Sequence, residues 1–218
     1  MADKNTTQPP EQSLATHHYR MRPIEISDAE HVAVWYQDIE DVSIFDRQLP
    51  LPINTTKVSD LIRTLVVSEE GNCRWFIAET KEGAPVGIAG LEAINMLHGH
   101  AILPLFIAQP WRRSGIGIRI ACMMIDLAFK QLRMNRITTM YRSDNLASEV
   151  VLNRLGFTVE GTSRQAWFSQ GEYRDVTNVG LLVTEWRATR LVLREALDSR
   201  VTVALGPDPS DAWCWPGK

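Results

Sequence analysis

Residues 101–132 read, in order, as an apolar run, a basic glycine loop and a long amphipathic stretch. AILPLFIA (101–108) predicts a strand, QPWRRSGIG (109–117) a loop, and IRIACMMIDLAFKQL (118–132) a helix. Ile116, Ile120, Met123, Met124, Leu127 and Ala128 recur on one face of a 3.6-residue period, so that face belongs to a core, with the methionines as adaptable fillers. Pro104 has no N–H to give a ladder and is out of place in a central strand. Strand, glycine loop and helix start together form a cradle for an anion. The first N–H groups of a helix lack acceptors, the helix dipole adds positive potential, and glycines let a ligand come close. Arg112 and Arg113 add two positive charges, so a phosphate-bearing ligand is the expected guest. No Lys-Ser/Thr follows these glycines, which excludes a nucleotide P-loop, and GIGIRI does not match the dinucleotide pattern GxGxxG.

The rest of the composition sets limits. With 218 residues, the chain is long enough for one domain with its own core. Hydrophobic residues at 44% and charged residues at 22% describe an ordinary globular protein, and a net charge of −3 argues against a nucleic-acid binder. A basic loop in a mildly acidic chain suggests an anionic cofactor and a cationic substrate. Cys73, Cys122 and Cys214 are far apart and show no metal spacing, so reduced thiols in a cytoplasmic protein are expected and no metal site is predicted. No apolar run is long enough to span a membrane, and no signal peptide is visible.

Along the chain, residues 1–18 read as a flexible polar tail and 19–24 as a first strand. Ser27, with Glu30 three residues on, reads as the capping box of a first helix running to about Gln37. Residues 38–54 read as loop. Thr55 or Thr56 is the expected cap of a second helix, with Val58, Leu61 and Leu65 as its stripe and Gly71 closing it. Strands 74–80 and 84–94 form a hairpin about Gly83, and 95–99 turns into the central strand. Residues 136–142 alternate as a strand, and 145–155 form a short helix stopped by Gly156. Strands 157–169 and 173–184 make a second hairpin about Gln170-Gly171. Residues 185–198 read as a further helix, followed by an irregular tail whose Trp213 and Trp215 are expected to pack on the body or on a second subunit. This order predicts a mixed α+β fold with helices on both faces of one sheet.

Two blocks carry a family resemblance. Arg112-x-x-Gly115-x-Gly117 resembles the pyrophosphate loop of the GCN5-related N-acetyltransferases (GNAT), which binds acetyl-coenzyme A. Further on stand Asn145-x-x-Ser148, Leu155-Gly156-Phe157, Glu160-Gly161 and Gly171-x-Tyr173-x-Asp175-Val176. These resemble the RimJ/RimL-like branch, which acetylates protein N-termini, and the related spermidine acetyltransferases. The resemblance covers about residues 19–184 and implies a GNAT fold: a central, mixed but mostly antiparallel sheet whose central strands splay apart for pantetheine, with Pro104 at or near the bulge. Residues 185–218 form a helix and tail beyond it. Acetyl-CoA is then expected to contact Phe106, Ile107, Ala108, Arg112, Arg113, Ser114, Gly115, Ile116 and Gly117, together with Asn145 and Ser148. Asn145 is also a strong helix cap.

The resemblance implies an enzyme that transfers acetyl to a primary amine by direct attack in a ternary complex, because neither motif contains a cysteine for an acyl-enzyme. The acceptor is a protein N-terminus or a small amine such as a polyamine. A primary alkylamine has a pKa of about 10.4 and must lose a proton before it attacks. Glu92 is the favoured base, ahead of His98 and His100. Ser148 is the expected proton donor to the leaving thiolate, because the position where many relatives carry a tyrosine is Leu152. The polarising donors for the thioester are expected among the N–H groups of Phe106–Ala108. Two family carboxylates are replaced, by Trp167 and Ile102, so a non-catalytic acyl-CoA sensor is the alternative. Related proteins are often dimers, so a homodimer is a further expectation.

Overall fold

The computed structural model describes residues 16–46, 51–66, 71–207 and 213–217. The elements are β1 (His17–Pro23), α1 (Ala29–Trp35), α2 (Ile39–Phe45), α3 (Thr55–Val66), β2 (Arg74–Thr80), β3 (Pro85–Asn95), β4 (His100–Ile102) and β5 (Leu105–Ile107). These are followed by α4 (Ile116–Lys130), β6 (Arg136–Arg142), α5 (Leu146–Arg154), β7 (Thr158–Ser169), β8 (Glu172–Leu182), α6 (Val183–Ala196), β9 (Val201–Leu205) and β10 (Cys214–Trp215). The fold is mixed α+β, as expected. One sheet runs in the order β10-β9-β1-β2-β3-β4-β6-β8-β7, with β5 attached to β3 off this path. Among the described residues, only β1–β9 and β4–β6 pair in parallel.

The sheet divides at Pro104. β4 lies between β3 and β6, and the Leu103 N–H still reaches the Thr138 carbonyl at 2.9 Å. Beyond the proline, β5 pairs only with β3: Ile107 opposite Gly87, Phe106 opposite Ile88 and Leu105 opposite Ala89. The proline carbonyl takes the Gly90 N–H at 3.1 Å, so Pro104 faces β3, where it accepts one bond and has no N–H to return. From Leu105 onward β5 and β6 are no longer bonded, and a wedge opens between them. The predicted single strand is therefore two short ones.

Two apolar layers cover the sheet. On one face, α1 and α3 pack Val32, Ala33, Val58 and Ile62 against Ile77, Ile88 and Phe106. On the other lies α4, buried on nearly all sides rather than on one stripe. The reason is the C-terminal segment, which is not irregular. Val201–Leu205 adds a strand beside β1, Cys214–Trp215 adds another, and Trp215 is fully buried against α4. The alternation Val201-Thr202-Val203-Ala204-Leu205 was the available signal for this strand. At its centre is Asp126, 0% exposed. Its carboxylate accepts from Trp186 Nε1 (2.9 Å), Trp215 Nε1 (3.1 Å), Arg190 Nε (2.9 Å) and Lys130 Nζ (2.8 Å).

Several local expectations need correction. β1 begins at His17, so the expected tail ends earlier; residues 1–15 lie outside the described residues. The first helix is organised by Asp28 rather than Ser27, because the buried Asp28 carboxylate takes the Glu25 N–H (2.8 Å) and both terminal nitrogens of Arg22 (2.9 and 2.7 Å). Residues 38–54 are not all loop. Asp38 caps α2 by accepting from the Glu40 and Asp41 N–H groups at 3.0 and 3.1 Å. The cap of α3 is Asn54, whose Oδ1 takes the Lys57 N–H at 2.9 Å, rather than Thr55 or Thr56. The expected closure of that helix runs through residues 67–70, outside the described residues.

Burial raises the Asp126 pKa, but the bonds from Arg190, Lys130 and Trp186 outweigh it and hold the carboxyl below the usual carboxylate range. A carboxyl depressed in the folded state stabilises above its unfolded pKa, and that contribution is lost as pH falls through the folded value. Asp126→Asn is expected to cost about 3–5 kcal/mol in urea unfolding at neutral pH, with the deficit shrinking below about pH 4. A loss under about 1 kcal/mol would show that the cluster contributes little.

Candidate active site

The site is the wedge between β5 and β6 with the turn that follows it. Backbone amides alternate along a strand. The Ala108 N–H donates to the Val86 carbonyl at 2.9 Å, and the Pro104 carbonyl accepts on the same edge. Phe106 therefore also faces β3, and the N–H groups of Leu105 and Ile107 face the wedge. Of Phe106, Ile107 and Ala108, expected together as donors, Ile107 alone turns its N–H into the opening, and Leu105 joins it.

The turn 109–115 leads into α4. Arg113 has φ 60° and Gly115, the N-cap of α4, has φ 79°, so the backbone curls with its amides directed outward. Backbone bonding stops at the Arg112 N–H, which reaches the Gln109 carbonyl at 3.2 Å. Among the described residues, the N–H groups of Arg113, Ser114 and Gly115 find no acceptor, and that of Ile116 has only a 3.4 Å contact to Ser114 Oγ. Gly117 faces Ile107: a Cβ added there would lie 3.3 Å from Ile107 Cγ1. These open amides, the helix start and the exposed Arg113 fit a diphosphate.

Arg112 is placed differently from expectation. Both terminal nitrogens bind the Asp41 carboxylate on α2, at 2.6 and 2.7 Å, its Nε donates to the Ile107 carbonyl at 2.8 Å, and the guanidinium lies over the Phe106 ring. From the other side, the buried Ser43 carbonyl of α2 accepts from Trp167 Nε1 (2.9 Å) and Arg142 Nη1 (3.2 Å). Helix α2 is thus tied to both sides of the divided sheet. Its Phe45 packs against Phe106 with centroids 4.2 Å apart and ring planes tilted by 46°, and Trp35 and Tyr36 extend the aromatic wall. Burial, reinforced by Asp46, pushes the Tyr36 hydroxyl pKa up. Sequence reading missed α2 entirely. The signal available was Asp38 followed by the acidic first turn Glu40-Asp41.

Glu92 lies opposite Ile102 at the other end of the wedge. Counting by twos from Ile88 and Gly90 puts it on the sheet face that carries α1 and α3, beside Trp75. Burial raises its carboxyl pKa, and the Trp75 indole opposes the rise only in part. His98 is exposed in the turn, and His100 is half-buried with Nε2 2.9 Å from Thr138 Oγ1. Asn145 caps α5 by taking the Ser148 N–H at 3.1 Å. Ser148 is half-buried, and its Oγ makes no hydrogen bond among the described residues. Leu152 is buried core.

The folding pattern and the open amide turn are those expected of a transferase of the acyl-coenzyme A class. Residues 18–158 match the family model described as acetyltransferase (GNAT) domain, and the chain belongs to that family. Its acetyltransferases use acetyl-CoA. The spermidine N(1)-acetyltransferase of Escherichia coli K12 is 23% identical over 175 residues, which cover 80% of this chain and 91% of that protein. A putative ribosomal N-acetyltransferase of Bacillus subtilis is 29% identical over 110 residues, 50% of this chain and 60% of its own. The spermidine N-acetyltransferase of Vibrio cholerae, solved with CoA and spermine, superposes with a TM-score of 0.71 at 20% identity, over 78% of this chain and 98% of that one. At that identity the superposition speaks for the fold. Among the described residues, no helix is long and apolar enough to cross a membrane.

Two measurements probe this geometry. Gly117→Val pushes a side chain into Ile107 and is expected to weaken acetyl-CoA binding by at least about tenfold in a calorimetric titration, with the fold retained by circular dichroism. Asp41→Ala and Arg112→Ala are expected to raise the KM of the amine in parallel. The double variant should be no worse than the worse single one, a coupling of about 1 kcal/mol. Additive losses would separate the two residues.

Proposed function

We propose that the chain acetylates the primary amine of a polyamine-like polycation by direct attack within a ternary complex. Acetyl-CoA supplies the activated acetyl thioester. The amides of residues 113–118 and the Arg113 side chain hold its diphosphate. The Leu105 and Ile107 N–H groups receive the pantetheine arm and polarise the thioester oxygen. Glu92 takes a proton from the substrate ammonium, directly or through water, so that the neutral amine attacks the thioester carbon. The C–N bond forms as the C–S bond breaks, and Ser148 Oγ gives a proton to the departing thiolate and regains one from the amide nitrogen.

The observation that carries this reading is Glu92: a carboxyl with a burial-raised pKa, at the Pro104 end of the wedge and on the face walled by α1–α3. A base poised above the ordinary carboxylate range suits a substrate whose pKa is about 10.4. Three further features suit a polycation. They are the aromatic wall of Trp35, Tyr36 and Phe45, the carboxylates Asp38, Glu40 and Asp46 on and around α2, and the spermidine-directed relatives. The replaced carboxylates do not leave the site without a base, which favours catalysis over a pure sensor.

A thiol-release assay over polyamines, peptide N-termini and amino sugars tests the proposal. Polyamines are expected to give the highest kcat/KM, and coenzyme binding without turnover on any amine would instead select the sensor. Glu92→Gln is expected to lower kcat by about 10² and to abolish the acid limb of the pH–rate profile, which in the parent is displaced upward from the ordinary carboxylate range because burial raises the pKa. An unchanged rate and limb would remove Glu92 from the chemistry.

A further inference from the structure

Arg119, on the first turn of α4, is a buried cation to which, among the described residues, no carboxylate is bound. It is 3% exposed. Nη1 donates to the Gly115 carbonyl at 2.7 Å and Nη2 to the Asp198 carbonyl at 2.6 Å. The buried Nε has no hydrogen-bond partner among the described residues. The carboxylate of Asp198 attracts it only from a distance, because that group is exposed and bonded to Arg200 at 2.5 and 2.8 Å. Arg154 adds a repulsion. Two neutral carbonyls are a poor exchange for water around a guanidinium, and a buried charge is normally retained only where an opposite charge meets it. Asp126, two turns further along the same helix, shows the usual solution, with two cations and two indoles around it.

The position of Arg119 shows where its counter-charge belongs. A Cβ added at Gly115 would lie 2.7 Å from Nη1, so the guanidinium sits directly behind the turn whose amides point outward. An anion on the outer side of that turn would face the cation across one layer of backbone, where screening by water is weak.

We propose that Arg119 is the buried counter-charge of the cofactor's diphosphate, a positioning residue acting through Gly115. The C-terminal segment, which holds Arg119 by the Asp198 carbonyl, is then part of the cofactor site. This rests on the reading that the diphosphate lies on residues 113–118.

The test compares a donor with phosphates and one without, using the full chain and the variants Arg119→Met and Arg119→Lys. Calorimetry gives the Kd of acetyl-CoA, and turnover with a polyamine gives kcat/KM for acetyl-pantetheine. The Met variant is expected to bind acetyl-CoA about tenfold more weakly. The Lys variant, which keeps the charge but cannot span both carbonyls, should stay within about threefold of the parent. Acetyl-pantetheine turnover should change by less than about twofold in both. Should the Met variant not fold, Arg119→Gln takes its place. Equal losses on both donors, or equal losses in the Lys and neutral variants, would make Arg119 a structural tie and overturn the proposal. Undiminished acetyl-CoA binding in the neutral variant would overturn it too. If the parent chain itself does not bind acetyl-CoA, the loop reading fails first; if the parent binds and the variants bind as well, only the role of Arg119 fails.

Discussion

A proline in the middle of a sheet governs this structure. At Pro104 the run divides, and β4 and β5 are two short strands rather than one. The first is held on both sides, by β3 and β6, and the second only by β3. The free edge of β5 is a row of backbone groups in the interior of the sheet. Such an edge attracts an extended partner. The glycine turn at its far end and the half-buried carboxyl of Glu92 at its near end set the direction of a ligand: phosphates at one end, reacting carbonyl at the other.

The elements around the wedge are fixed by polar ties rather than by apolar packing alone. Helix α2 has only seven residues, too few to be stable by propensity. It is held by Asp38 at its start, by Asp41 on Arg112 and by the Ser43 carbonyl on Trp167 and Arg142. The acceptor wall and the cofactor turn therefore share a residue, Arg112, and one cannot move freely without the other. On the opposite face, α4 is clamped through Asp126 to Trp186 of α6 and Trp215 of β10, and through Arg119 to Asp198. The added strands β9 and β10 lengthen the sheet beyond β1 and close over the helix that carries the anion cradle.

Local signals were legible in the sequence where they were strong. Helix α4, the strand Arg136–Arg142, the Asn145 cap and the Gln170-Gly171 turn all emerge in the structure close to where periodicity and turn chemistry put them. The glycine turn and its anion-binding logic were legible for the same reason, because helix ends and glycines act locally. What the sequence hid were non-local partnerships. Nothing near Arg112 in the chain announces that Asp41 will occupy it, and nothing near Asp126 announces Trp215. The direction of the β5 amides was also hidden, since it depends on which neighbour each edge faces. Residues 201–205 alternate plainly enough, but the surrounding prolines and glycines concealed a strand that exists only because β1 offers an edge.

The central claim is that the backbone edge opened by Pro104 is completed by the cofactor. Amide hydrogen exchange resolved to single residues, with and without saturating acetyl-CoA, tests it most directly. Leu105 and Ile107 are predicted to exchange readily in the free protein and to slow by more than about tenfold when the ligand binds, while Phe106 and Ala108, already bonded to β3, change little. Equal protection of all four amides in the free protein, or no slowing of Leu105 and Ile107 in the complex, would contradict the account.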